Sequence, residues 1–267
     1  MKKKELYSIL MICLLMFSSC LGDTNTRITV GEQEAVYQSR PTKGFYVDGG
    51  RFLYGSNLSV TGDTGDCFLI EYSFDSAAPE LQGTDSLAIE LIEQPVSVPL
   101  WPLDSQMTDT TKILNNEVLT ESLLGRKAYI KGRLFLWSNH TETESQQDSF
   151  MLSYNPEKMY TIEEGKRIYN LYLRAIKKVT KPEEGSGDNN KEEGEGTTET
   201  EKTVKVLITN AFNIEEFFDK AKVQEEEKGE KGLSIAINYA SAYNKDTTAC
   251  LWSTTEPMLI SFSERVE

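Results

Sequence analysis

The chain has 267 residues, with 28 basic side chains, 42 acidic ones and a single histidine, for a formal charge of −14. No basic patch competes with that field, so nucleic acid and anionic lipid surfaces are disfavoured as partners of the polypeptide. The length allows two small domains or one large one.

The N-terminus carries Lys2, Lys3 and Lys4, then an apolar stretch from Leu6 to Phe17, then Ser18-Ser19-Cys20. A basic start, a short apolar core and small residues before a cysteine describe an export signal over residues 1–19. The apolar run is short for a bilayer span. Cys20 is read as the site of lipid attachment, with an ordinary cysteine near an ordinary cleavage site as the plainer alternative. Loss of residues 1–19 removes three lysines and Glu5 and takes the formal charge from −14 to −16. An anchor on such a chain has to be covalent, and several acyl chains hold where one binds only marginally. Residues 20–26 are a small, polar tether.

Strand signals dominate from there. Phe45-Tyr46-Val47 and Arg51-Phe52-Leu53-Tyr54 flank Asp48-Gly49-Gly50, whose chemistry supplies positive φ and predicts a tight hairpin. After the turn region Ser59–Asp66, Phe68, Ile70, Tyr72 and Phe74 share one face of a strand. Leu87–Ile92 is another short strand, and Pro95, Pro99 and Pro102 break the pattern around Trp101. Short strands with frequent turns predict a small barrel or sandwich over residues 27–105. Residues 106–124 are a connecting segment, with a helix predicted over 112–124 on the spacing of Leu114, Val118 and Leu119 and capped by Gly125.

From Lys127 the alternation returns. Ile130, Leu134 and Leu136 take one face, Phe135 and Trp137 the other; Phe150-Leu152-Tyr154, Tyr169-Leu171-Leu173-Ala175, Val204-Val206-Ile208 and Leu233-Ile235-Ile237-Tyr239 follow. Antiparallel-type strands predict a β-sandwich over residues 125–267, making the chain all-β in two domains. Residues 181–203 hold no large apolar side chain and are expected to be a disordered acidic loop. Asn213 with Glu216 resembles a capping box, so a short helix is predicted from Ile214 to about Lys222, then a charged loop over Gln224–Lys231.

Catalytic chemistry is thin. His140, in Asn139-His140-Thr141-Glu142, reads as a solvated residue of a polar turn, and no second histidine remains for a zinc site. No Gly-x-Ser-x-Gly elbow, phosphate loop or dinucleotide fingerprint occurs. Asp63, Asp66 and Glu71 offer carboxylate pairs, but in so acidic a chain such pairs arise by chance. Asp48, Asp63 and Asp66 lack calcium-loop spacing. No metal or cofactor is expected. Cys67 and Cys250 sit in apolar runs and are read either as one bridge or as two buried free thiols. Tyr46, Phe52, Tyr54, Trp101 and Trp137 are read either as a sugar-stacking platform or as packing residues.

The start Ser18-Ser19-Cys20-Leu21-Gly22-Asp23 resembles lipoproteins of Bacteroides and its relatives. The segments Val47-Asp48-Gly49-Gly50-Arg51-Phe52-Leu53-Tyr54-Gly55-Ser56 and Cys67-Phe68-Leu69-Ile70-Glu71-Tyr72-Ser73 resemble the NigD-like lipoproteins. The resemblance implies an OB-like domain followed by a β-sandwich, and a place in the bacterial envelope, at the outer membrane. The family takes its name from a bacteriocin-associated operon, which makes a binding or immunity-type role the expectation, but the resemblance implies place and fold, not mechanism, and carries over no catalytic residue. The charged insertion after Thr180 and the helix near Phe217 depart from it. Surface lipoproteins of this group carry an acidic cluster after the cysteine. Here only Asp23 follows, so the periplasmic leaflet and the cell surface both stay open.

The expected function is therefore that of a non-catalytic, lipid-anchored envelope protein that binds another envelope protein. The alternative is a glycan-binding lipoprotein. Either partner, protein or neutral glycan, is expected on the face of the first domain beside Asn57–Asp66 and the Asp48-Gly49-Gly50 tip, with Tyr46 and Tyr54 as contacts. The competing reading has both tyrosines packing on the neighbouring domain.

Overall fold

Alternation of apolar residues carries through most of the folded chain. The computed structural model describes residues 26–81, 84–107, 109–143, 146–179 and 203–262. Cys20, the signal segment, most of the tether and the acidic loop up to residue 202 lie outside them.

The first sheet uses β1 (Arg27–Gln38), β2 (Gly44–Val47), β3 (Phe52–Tyr54), β4 (Cys67–Asp75), β5 (Ser86–Ala88), β6 (Glu90–Leu91) and β7 (Val96–Val98). Its order is β5-β3-β2-β1-β4-β6, with β7 also on β4. β3 runs parallel to β5, and the other pairs are antiparallel. This is the OB-like unit. The hairpin at Asp48-Gly49-Gly50 forms as expected, with φ of 77° at Gly49 and 76° at Gly50, a region glycine enters without strain. Two faces emerge from the register. Ala35, Tyr37, Phe45, Leu53, Phe68 and Ile70 pack into the domain's own core. Val36, Tyr46, Cys67, Leu69 and Val98 point the other way, into a second cluster.

The second sheet uses β8 (Leu100–Asp104), β9 (Glu117–Val118), β10 (Ser122–Ile130), β11 (Arg133–Thr143), β12 (Gln146–Ser153), β13 (Tyr160–Glu163), β14 (Lys166–Val179), β15 (Thr203–Asn213), β16 (Gly232–Tyr243), β17 (Cys250–Thr254) and β18 (Met258–Ser261), with helix α1 (Glu215–Glu226). The order is β10-β11-β15-β8-β12-β14-β16-β17; β9 and β13 join β14, and β18 joins β16. The sheet is mixed, since β8 runs parallel to both β12 and β15, and β14 parallel to β16. Leu134, Leu136, Leu152, Leu171, Leu173, Leu233, Ile235 and Ile237 fill its interior, with Phe217, Phe218 and Ala221 of α1 against them.

Four local expectations change. Leu100–Asp104 belong to the second sheet, so the first ends at Val98 and not near residue 105. The helix expected over 112–124 is absent. Its backbone groups find other partners than a helix would give them: Leu114 N–H donates to the side-chain carboxylate of Glu117 at 2.8 Å, and Thr120 N–H to the distant Ala240 carbonyl at 2.9 Å. Gly125 lies inside β10 beside a register shift. The helix expected to stop near Lys222 runs on to Glu226, because Glu225 is buried and ion-paired where a charged loop was predicted. Ile130 joins the cluster between the domains, away from Leu134 and Leu136.

Candidate functional site

The face predicted to bind a partner is reached by following β1 outward. Val36 pairs with Tyr46, and Tyr46 with Phe52, while Gln38 pairs with Gly44, and Gly44 with Tyr54. Paired residues share a face, so the structure brings Tyr46 and Tyr54 together with Phe52 between them. Gly44 has no side chain, and the Phe52 ring lies where a Cβ would be. Tyr46 and Phe52 rings stand 5.0 Å apart.

The second domain covers one end of this face. Ala128, Ile130, Phe135 and Ala211 close on Val36, Cys67 and Val98, and the Lys131 ammonium sits 4.2 Å above the Tyr46 ring. Tyr46 therefore packs on the neighbouring domain, whereas Phe52 and Tyr54 lie half-buried beyond the covered end. Glu34 shares the covered face and is 3 % exposed. Its carboxylate accepts from Trp137 Nε1 at 2.6 Å and Arg126 at 2.7 Å, and the Arg126 guanidinium lies 5.0 Å above the Trp137 ring. The Asn57–Asp66 loop is pinned as well. Gly65 N–H donates to Tyr37, Tyr37 N–H to Asp66, and Arg133 reaches the Gly65 carbonyl. The Asp66 carboxylate accepts from Asp63 N–H within its own loop and so serves a turn.

The remaining platform candidates are dispersed. Trp137 is in the seam, and Trp101 donates to Asn210 at 2.8 Å and packs on Phe150.

Three polar groupings in the second domain were not legible in the sequence. Arg174, 2 % exposed, donates to both oxygens of Glu117 at 2.7 Å and to the carbonyls of Asp109 and Lys112. Arg167 donates to Glu225 at 3.1 Å, and Tyr169 OH donates to the same oxygen at 2.8 Å. The third surrounds His140. That residue is a correction: it is fully buried in the middle of β11, not in a polar turn, because β11 pairs with β15 as far as Thr143. Its Nε2 shares a 2.8 Å hydrogen bond with Ser138 Oγ, and its ring meets the Phe150 ring at 5.2 Å. Burial holds its pKa below the usual imidazole range. Nearby, burial and the Asp148 charge push Glu142 up to about 7. His140 Nδ1, Glu142 Oε1, Thr143 Oγ1 and Asp148 Oδ2 are buried without hydrogen-bond partners among the described residues. A histidine so placed offers no open face to a substrate.

Of the two readings of Cys67 and Cys250, the structure has buried free thiols and no bridge between them. Burial pushes Cys67 up to about 12 and Cys250 up to about 11, which keeps thiolate, the reactive form, scarce. Among the described residues no group of three His, Cys, Asp or Glu is placed to hold a metal ion.

No family model and no curated protein matches this sequence. Solved structures do. A protein of uncharacterised function from Parabacteroides merdae is similar with a TM-score of 0.66 at 19 % identity, over 86 % of this chain and 98 % of that one. A candidate lipoprotein from Bacteroides fragilis is similar with a TM-score of 0.52 at 13 % identity, over 88 % and 98 %. A NigD-like immunity protein from Bacteroides caccae aligns over 85 % and 91 % at 13 % identity, but its TM-score of 0.43 is too low to support shared detail. At these identities the first two share the fold with this chain.

Proposed function

We propose that this chain is a lipid-anchored protein of the bacterial envelope that acts by binding another envelope component and not by catalysis. Cys20 is the observation that carries the anchor: it closes a basic, apolar and small-residue export segment, and the first described strand begins at Arg27, seven residues later. The fold shared with a candidate lipoprotein supports the same placement. The outer membrane is the expected site, with orientation left to experiment.

The binding surface is the uncovered end of the first domain's outward face, where Phe52 and Tyr54 stand beside the seam. Half-buried aromatics held on strands are suited to a protein or neutral sugar. Replacing Cys20 by Ala should release a soluble protein or leave the precursor uncleaved. Retention in the membrane fraction with incorporated fatty acid would overturn the anchor. Replacing Phe52 and Tyr54 by Ser, with the melting temperature held, should abolish capture of an envelope partner by cross-linking. Unchanged capture would remove this surface.

A further inference from the structure

A second cleft lies on the other domain, where the β13–β14 turn, the end of α1 and β18 meet. Its volume is about 570 Å³, within the size range of small-molecule sites. Its wall carries Lys166, Arg167, Lys228 and Lys231 against Glu225 and Glu230, an excess of positive charge in a chain of formal charge −14. The neighbouring Glu163, Glu164, Glu226 and Glu227 do not line it.

Arg167 is the built element. Its guanidinium lies 4.4 Å above the Tyr160 ring and pairs with Glu225, itself fixed by Tyr169. Its side chain is only 15 % exposed. Its Nη1 donates to Glu225 and the Tyr169 hydroxyl stands beside it, while Nε is buried without an acceptor among the described residues. Lys166, Lys228 and Lys231 form no ion pair with any described residue. Glu225 is already neutralised by Arg167, so Lys166, Lys228 and Lys231 against the single carboxylate of Glu230 leave the opening net positive. Leu259, 71 % exposed, lines the same cleft beside Ser234. Cations grouped beside an apolar side chain and a hydroxyl match a small molecule with one anionic group on an amphipathic body.

We propose that this cleft binds a small oxyanion ester, a phosphorylated or sulfated monosaccharide. Lys228 and Lys231 would hold the anion, Arg167 would orient it, and Leu259 would meet the sugar ring. Isothermal titration of the full-length chain in detergent with glucose 6-phosphate, glucose 6-sulfate and glucose tests it, the two esters separating phosphate from sulfate. At least one ester should bind with a dissociation constant below about 1 mM, and glucose should bind at least about tenfold more weakly. Lys228→Glu with Lys231→Glu should weaken the ester at least about tenfold at unchanged melting temperature, while Lys43→Glu on the first domain should leave it unaltered. No binding by either ester, equal binding by glucose, or full affinity in the charge-reversed variant would overturn the proposal.

Discussion

Two polar clusters inside the second domain make opposite use of their carboxylates. Around Glu117, every charge is answered: Arg174 Nη1 reaches both oxygens and the Lys112 carbonyl, Leu114 N–H adds a further donor, and Arg174 Nη2 donates to the Asp109 carbonyl. Around Glu142 and Asp148, two carboxyl groups meet with no ion pair among the described residues; Gln146 donates to one Asp148 oxygen, and four polar atoms lack partners among the described residues. The first cluster fixes a segment whose own sequence reads as a helix. The second leaves a proton to decide the balance. Burial alone does not determine a carboxylate's behaviour; what distinguishes the two is the presence of a guanidinium in reach.

The sharpest way to break the contrast is to remove the cation from the closed cluster. Arg174→Leu leaves Glu117 buried and uncompensated and should cost about 3–5 kcal/mol, read by urea denaturation. Glu117→Leu with Arg174→Leu should recover most of that loss, and failure to do so would show that the pair matters for more than its charge. A smaller effect is expected at the seam. Trp137→Phe leaves Glu34 with one donor fewer and should cost about 1–3 kcal/mol, measured the same way.

The open cluster should announce itself through pH. Glu142 binds its proton more tightly in the folded chain, at about 7 against 4.5 in the unfolded one. The stability it contributes is present in full below about pH 4.5 and is lost as the pH rises through about 7. Glu142→Gln mimics the protonated form and should raise stability at pH 8 by roughly 1–3 kcal/mol, with little change at pH 4. A pH-independent effect would sever the link to Asp148. The smallest expected signal is in the thiols. Peptide mapping after a thiol-reactive probe at pH 8 should find Cys67 and Cys250 unlabelled in the folded protein and labelled once it is unfolded, in keeping with their raised pKa values.

Much of this architecture was legible from alternation alone. The strands holding Phe68-Ile70-Tyr72 and Leu134-Leu136 bury the faces the sequence assigns them, and Asp48-Gly49-Gly50 turns where its chemistry requires. The failures share a cause. Residues 112–124 have helical spacing, but Arg174, far along the chain, takes up the Lys112 carbonyl, the Asp109 carbonyl just before the segment and the Glu117 carboxylate. His140 sits among polar residues, yet the strand continues and the sheet closes over it. Glu225 reads as loop and is drawn into a helix by Arg167. Each depends on a partner about 60 residues or more away or on a neighbouring strand, which local pattern does not carry. For the candidate site, shared facing of Tyr46 and Tyr54 was readable from period-two alternation. That both tyrosines would pack on the second domain was one of two readings; Tyr46 does so, against the cluster of Ile130 and Phe135 and under Lys131.

One small connection governs how the two domains move. β7 ends at Val98 and β8 begins at Leu100, so Pro99 alone joins the first sheet to the second. Its carbonyl accepts from Ala211 N–H at 3.0 Å, and its ring restricts the backbone further. A joint of one stiff residue leaves no slack for a swivel. A tug arriving at β1, as through the anchor proposed above, would pass through β4 and β7 into β8, the strand wedged between β12 and β15. The molecule should respond to load as a single lever, yielding by loss of strand pairing and not by bending at its waist.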